Sequence, residues 1–245
     1  MPVKKYKLFI LLLFLTSLHL SGQYRSEVYS AYIFDRMEQW KSVIDRMETV
    51  SNKNNEFIQE LVNYQYGYIG YCIEFKKTED AKKYYNQANE NVEKLEKSGY
   101  NLSTINSYKA ALYGIRISFN KFSAPFNGPK SLSYAETALK QDSSNYLANI
   151  QYGNALSNMP EAFGGSKSEA LKYYLRAKQI FERNPALISQ NWNYMNLMIL
   201  IGRTYSDLKD YSSAKSVYEI ILSREPDFIY VKRELYPKLL EEMKN

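Results

Sequence analysis

Histidine is almost missing from this chain: its 245 residues contain one, His19. Cysteine is as scarce, with Cys72 alone, and tryptophan occurs twice. None of the seven prolines falls between Val3 and Ala124. Each shortage removes a class of function or of structure. A single Cys closes no disulfide within the chain, and one His and one Cys supply no donor set for a zinc or iron site. His19 lies in the amino-terminal apolar run, so the rest of the chain builds no Ser-His-Asp or Cys-His arrangement. No phosphate-cradling loop is present, because "FGGSKS" lacks the earlier glycine and the preceding strand that such a loop needs. Carboxylate neighbours such as Glu79-Asp80 and Glu241-Glu242 sit in polar helical stretches and read as solvated. The residue types thus name no catalytic residue, no metal ligand and no cofactor, and the expectation is a protein that is not an enzyme.

Strand signals are weak, and the proline-free first half leaves room for long helices. The start is different. "MPVKKYKLFILLLFLTSLHLSGQ" has Lys4, Lys5 and Lys7, then 13 residues from Leu8 to Leu20, then the small Ser21 and Gly22. That basic, apolar, small order is that of a secretory signal peptide, and the run is too short for a spanning helix of roughly 20 residues. The expected division is a leader at 1–22, cleaved after Gly22 or Gln23, and one helical domain at 23–245. An uncleaved anchor is the alternative. The expected location is the periplasm in a Gram-negative source and secretion otherwise, with no stable membrane insertion after cleavage. The net charge of +6 includes the three leader lysines, so the remainder carries about +3. Nucleic acid is not an expected partner, since that needs Lys and Arg clustered on one face. Cys72, in "YGYIGYCIEF", reads as a small buried residue.

What the chain does have is tyrosine, 24 residues of it, and an internal repeat. "DYSSAKSVYEIILSREP" places Ala214, Tyr218, Ile221 and Pro226 at steps of four, three and five. "KSEALKYYLRAKQIFERNP" repeats the first two steps with Ala170, Tyr174 and Ala177, and "TEDAKKYYNQANENVEKL" with Ala81, Tyr85 and Ala88. "GPKSLSYAETALKQDSSN" gives Ser131, Ala135 and Ala138. A glycine-bearing helix precedes each unit, at Gly67, Gly114, Gly153 and Gly202. Small residues seven apart let two antiparallel helices approach, and an aromatic between them fills the gap. Such a pair cannot bury its apolar face alone, so pairs stack into a solenoid.

The last unit, "MILIGRTYSDLKDYSSAKSVYEIILSREP", resembles a tetratricopeptide repeat at Ile201-Gly202, Tyr205, Tyr211, Ala214, Tyr218 and Pro226. Ile221 departs from the pattern, being larger than the usual Ala. The resemblance implies an all-α solenoid of about four to five helix pairs. It covers most of Glu56–Phe228, with a further pair expected from Met37, Trp40, Ile44 and Met47. "PDFIYVKRELYPKLLEEMKN" is expected to add a capping helix that turns Phe228, Val231 and Leu235 toward the array.

One stretch interrupts the repeat. "SNMPEAFGGSK" enlarges the turn of one hairpin, and Ser166-x-x-Glu169 after it makes a capping box. Gly164 and Gly165 supply permissive dihedrals. For Pro160 and Phe163 two readings stay open. Either they stiffen and plug a corner, or the loop closes one side of a cavity or offers backbone N–H groups to an anion. Proline followed by a Gly-Gly pair is also similar, more loosely, to exported tetratricopeptide proteins that accompany TRAP-type transporters.

The tetratricopeptide resemblance implies that first helices line a concave face, which nominates Tyr64, Tyr68, Asn154 and Arg203 as binding residues. Arg203 is the natural anchor for a carboxylate. The expected function is an adaptor or scaffold that takes a protein or peptide partner in this groove. The alternative is a binder of a small-molecule ligand, with the Pro160–Gly165 loop closing its pocket.

Overall fold

The computed structural model describes residues 22–244. Residues 1–21, nearly all of the expected leader, lie outside the described residues, among which there is no strand. Helix α1 runs through residues 22–33, and α2 spans Met37–Thr49. Four more antiparallel pairs follow: α3 (Asn55–Glu74) with α4 (Thr78–Lys97), α5 (Leu102–Phe119) with α6 (Ala124–Gln141), α7 (Tyr146–Asn158) with α8 (Lys167–Glu182), and α9 (Trp192–Asp207) with α10 (Tyr211–Arg224). A π-type turn at Val231–Leu235 leads into α11 (Tyr236–Glu242). The architecture is the all-α solenoid of the tetratricopeptide type.

Local chemistry sets the boundaries. The first helices of the last four pairs all start at an asparagine cap: Asn54, Asn101, Asn145 and Asn191 each accept a backbone N–H from their own first turn. Second helices pack through their smallest residues. Ala88, Ala138, Ala177 and Ala214 have no exposed surface. At Gly153 an added Cβ would come within 2.6 Å of the Tyr174 ring, and at Gly202 it would overlap the Tyr218 ring. These two pairs approach as closely as they do because a glycine faces an aromatic.

Two pairs differ from the last two. Gly67 does not face an aromatic of its paired helix; its missing side chain makes room for Trp40 and Trp192, whose rings would lie 2.6 and 2.7 Å from a Cβ there. Tyr85 turns instead to α5, where its hydroxyl meets the Arg116 guanidinium at 2.5 Å. In addition, Gly114 and Ser131 are 17 positions apart, as are Gly153 and Ala170, against 12 between Gly202 and Ala214. Two hairpins therefore carry an enlarged turn, each with a short 3-10 segment, at Lys121–Ser123 and Glu161–Phe163.

Beyond the last pair, Phe228 and Val231 are fully buried and Leu235 packs against the same cluster. Apolar side chains form two buried clusters, one around α2 to α5 and one around α8 to α11. Tyr29 and Tyr32 of α1 pack against both.

Candidate binding groove

Helix α1 packs against the first helices α3 and α9 and against the chain just after α10. Its residues touch helices that are far away in sequence and belong to several pairs. Tyr24 meets Phe57 of α3 edge to face at 6.2 Å. Arg25 lies close to the Tyr64 hydroxyl of the same helix. Tyr32 packs edge to face with Trp40 and Trp192 and tilted against Phe228, with centroids 5.8, 6.0 and 5.1 Å away, and its hydroxyl donates to Asn196 Oδ1 at 3.1 Å. Tyr29 donates to Glu225 Oε1 at 2.6 Å. Val28 and Ala31, on the same helix, have no exposed surface. The surface that α3 and α9 present is thus covered by an aromatic, amphipathic helix of the chain itself.

The four groove residues named from the sequence are all engaged internally. Tyr64 is 2 % exposed and donates to Glu60 Oε1 at 2.6 Å. Tyr68 faces α4 rather than the groove, fully buried and edge to face with Tyr84 at 5.1 Å. The residue after Gly67 points sideways because Gly67 itself faces the two indoles. Asn154 accepts from Tyr174 Oη at 2.8 Å and donates to Gln151 Oε1 at 3.2 Å, while Gln151 donates to Tyr66 Oη at 3.0 Å. Arg203 does hold a carboxylate, that of Glu74 on α3 at 3.3 Å, and it also donates to Tyr230, whose hydroxyl donates to Glu74 at 2.8 Å. This closure joins residues 129 positions apart. The groups are brought together as braces of the fold, not as a row of free donors. Burial pushes the hydroxyls of Tyr64, Tyr68 and Tyr174 well above the usual phenol range, and that of Tyr218 up to about 12.

The interrupted hairpin is a closed turn. Four successive N–H groups are spent inside it: Phe163 and Gly165 donate to Pro160 O, Gly164 to Glu161 O, and Ser166 to Leu156 O, all at 2.9–3.1 Å. The N–H groups from Phe163 to Ser166 are therefore not open to an anion. Gly164 has φ +95°, and Gly165 is pressed against the Met159 backbone. Ser166 Oγ accepts Glu169 N–H at 3.2 Å, but Glu169 turns to Lys172 at 2.6 Å, so the capping box is half formed. Phe163 neither plugs nor closes anything; it is 77 % exposed. Sequence reasoning missed α1 as the occupant of the groove, and no local pattern in 22–33 distinguishes it from any other amphipathic helix.

Among the described residues no cluster of His, Cys, Asp and Glu is arranged to hold a metal, and no helix is long and apolar enough to cross a membrane. Cys72 has no exposed surface, and burial pushes its thiol up to about 11. Its reaction with a soluble disulfide reagent at neutral pH is expected to be at least about a hundredfold slower in the native protein than in denaturant, from the smaller thiolate fraction alone. Equal rates would mean that α3 and α4 open readily.

Residues 196–228, which span most of α9, all of α10 and the turn after it, match the tetratricopeptide repeat. No curated protein matches the sequence. Among solved structures, the fold is similar to that of the HusA haemophore from Porphyromonas gingivalis, at 16 % identity and a TM-score of 0.59, over 76 % of this chain and 93 % of that one. At that identity the likeness speaks to the fold alone. Residues 196–228 thus match a tetratricopeptide repeat and form the last of an array of antiparallel helix pairs.

Proposed function

We propose that this chain is an exported, non-enzymatic scaffold that binds a protein partner through its concave groove. The tetratricopeptide repeat supports protein binding in general terms. One observation carries the finer reading: the groove already holds an amphipathic helix, α1, through ring contacts with Trp192 and Phe228 and hydrogen bonds to Asn196 and Glu225. A surface that accepts one helix by aromatic anchors and two polar clamps is suited to accept another of the same chemistry. The partner segment is then a helix with two tyrosines at adjacent turns, competing with α1, rather than an extended peptide. Export rests on the order of residue types in 1–22, and places the protein in the periplasm of a Gram-negative source or outside the cell otherwise.

The haemophore likeness favours a second reading, an exported carrier of a small apolar molecule, because it spans 93 % of that protein. In this reading α1 leaves and the ligand meets the aromatic interior around Trp40 and Trp192.

Native mass spectrometry on the protein taken gently from its own cell envelope separates the two. A second polypeptide at fixed stoichiometry, gained more readily by Tyr29→Phe/Tyr32→Phe than by the unchanged chain, supports the scaffold. The double change removes both polar clamps on α1 and keeps the rings. A bound non-peptide mass, or a shifted Soret band on titration with haem, supports the carrier. A bare chain in every preparation sinks both.

A further inference from the structure

Every turn inside a helix pair projects an exposed apolar side chain. Phe34 stands at the α1–α2 turn, Phe75 at α3–α4, Phe122 and Phe126 at α5–α6, Phe163 at α7–α8, and Leu208 at α9–α10. Three are far out in solvent, Phe122 at 91 %, Phe163 at 77 % and Phe126 at 75 % exposed, while Phe34 and Leu208 are only about two-fifths exposed. Toward the opposite edge, where one pair passes to the next, only Leu102 and Ile220 are exposed in this way among the described residues. Antiparallel stacking puts the five internal turns along one edge, and ion pairs between neighbouring turns tie them there: Lys77 to Glu38 at 3.1 Å, and Lys167 to Asp207 at 2.5 Å.

Three of these turns are built alike. Phe34, Phe75 and Leu208 are each followed by a residue in the left-handed region, Asp35, Lys76 and Lys209, at φ between 52° and 63°. The chain then closes back on the helix: Arg36, Lys77 and Asp210 N–H donate to Ala31, Cys72 and Tyr205 O. The reversal falls immediately after the apolar residue, which leaves it at the apex. A free basic side chain stands beside four of the five turns, the α7–α8 turn being the exception. Arg36 lies over the Phe34 ring at 5.3 Å, and Arg36, Lys76, Lys121 and Lys209 are exposed and make no ion pair. The acidic groups of this edge are mostly committed: Glu38, Glu74 and Asp207 to Lys77, Arg203 and Lys167, and Asp210 to the α10 cap. Asp35 and Glu161 remain unpaired.

We infer that this edge docks on the surface of an anionic membrane, with the turn aromatics entering the headgroup layer and the neighbouring Lys and Arg meeting lipid phosphates. The distribution argues for lipid over protein. A protein interface needs a contiguous core from which water is excluded. Here the apolar residues are single islands, separated by the spacing of packed helices, about 8–10 Å, and each is ringed by polar turn backbone. A headgroup layer accepts separate apolar side chains and rewards a cation next to each. The docking is peripheral and leaves the groove free, so it stands or falls apart from the scaffold reading.

The test is vesicle flotation of the chain from Gln23 onward, which contains every member of both buried clusters and lacks the apolar leader. Flotation is expected with phosphatidylcholine vesicles that contain phosphatidylglycerol, weaker with phosphatidylcholine alone, and reduced by salt. Phe122→Ser/Phe126→Ser/Phe163→Ser is expected to lower vesicle affinity by about tenfold or more with an unchanged melting temperature. Lys76→Gln/Lys121→Gln/Lys209→Gln is expected to remove the preference for anionic vesicles. The inference is overturned if the unchanged chain ignores both vesicles, if the Phe variant floats like the unchanged chain, or if the same Phe residues are needed to hold a protein partner while lipid is ignored.

Discussion

Trp40→Ala is expected to lower the unfolding free energy by about 3–5 kcal/mol, read in urea by far-UV circular dichroism, with a fall in melting temperature of roughly 10 °C. Trp40 is 1 % exposed and lies where four helices meet. Its ring packs edge to face with Trp192 at 5.1 Å and with Tyr32 at 5.8 Å, over the bare backbone of Gly67. Its Nε1 donates to Tyr64 O at 3.0 Å. Truncation to Ala leaves a cavity that stiff rings on three sides cannot collapse into, so the cavity cost adds to the lost burial. Because Tyr32 packs against both buried clusters, the damage is expected to reach the α9–α10 end as well as α2 and α3. Trp192→Phe is the matched control. The Trp192 Nε1 is buried without a partner among the described residues, so replacing that indole removes no hydrogen bond. Its cost is expected to be clearly smaller. A loss below about 1 kcal/mol for Trp40→Ala would show that α1 and α2 are not part of the cooperative fold.

Gly165→Ala is expected to cost about 3 kcal/mol, more than any other single change in its loop. A Cβ at Gly165 would overlap the Met159 carbonyl oxygen and come within 2.6 Å of the carbonyl carbon. These are backbone atoms, which cannot swing aside as a side chain does. The turn must open, and with it go the hydrogen bonds from Gly165 to Pro160 O and from Ser166 to Leu156 O that bring α7 and α8 together. Gly164→Ala meets only Met159 Cε at 3.8 Å and pays mainly for its positive φ, about 1–2 kcal/mol. Phe163→Ala is expected to stay within about 0.5 kcal/mol, since the ring is exposed. Thermal unfolding of the three variants should give that order. Equal effects at Gly164 and Gly165 would mean that the turn relaxes freely.

The contrast within this one loop explains why "PEAFGGSK" was ambiguous as a sequence. The Gly pair and the Ser cap are local devices, and the two residues that need φ freedom or close approach are glycines for reasons that a short window carries. Whether Phe163 is covered depends on what lies beside the loop in space, and nothing in the window encodes that. The same division holds for the groove. Arg203 is suited to a carboxylate by its chemistry alone, but that the carboxylate is Glu74 depends on the curvature of the whole array. Gly67 shows the limit of pattern matching: it stands at the repeat position, yet it meets the two tryptophans, whereas Gly153 and Gly202 meet tyrosines of their paired helices.

By itself, then, the amino-acid sequence determined the helix pairs and their small-residue contacts at Ala170, Ala177 and Ala214. All of these follow from side chains three, four or seven positions apart on one helix, so helical geometry alone relates them. Tertiary structure decided what fills the concave face and what is left exposed at the turns. Tyr29 meets Glu225 across 196 positions and Tyr32 meets Asn196 across 164. No periodicity reaches that far, because such contacts depend on small rotations between successive pairs summed along the solenoid.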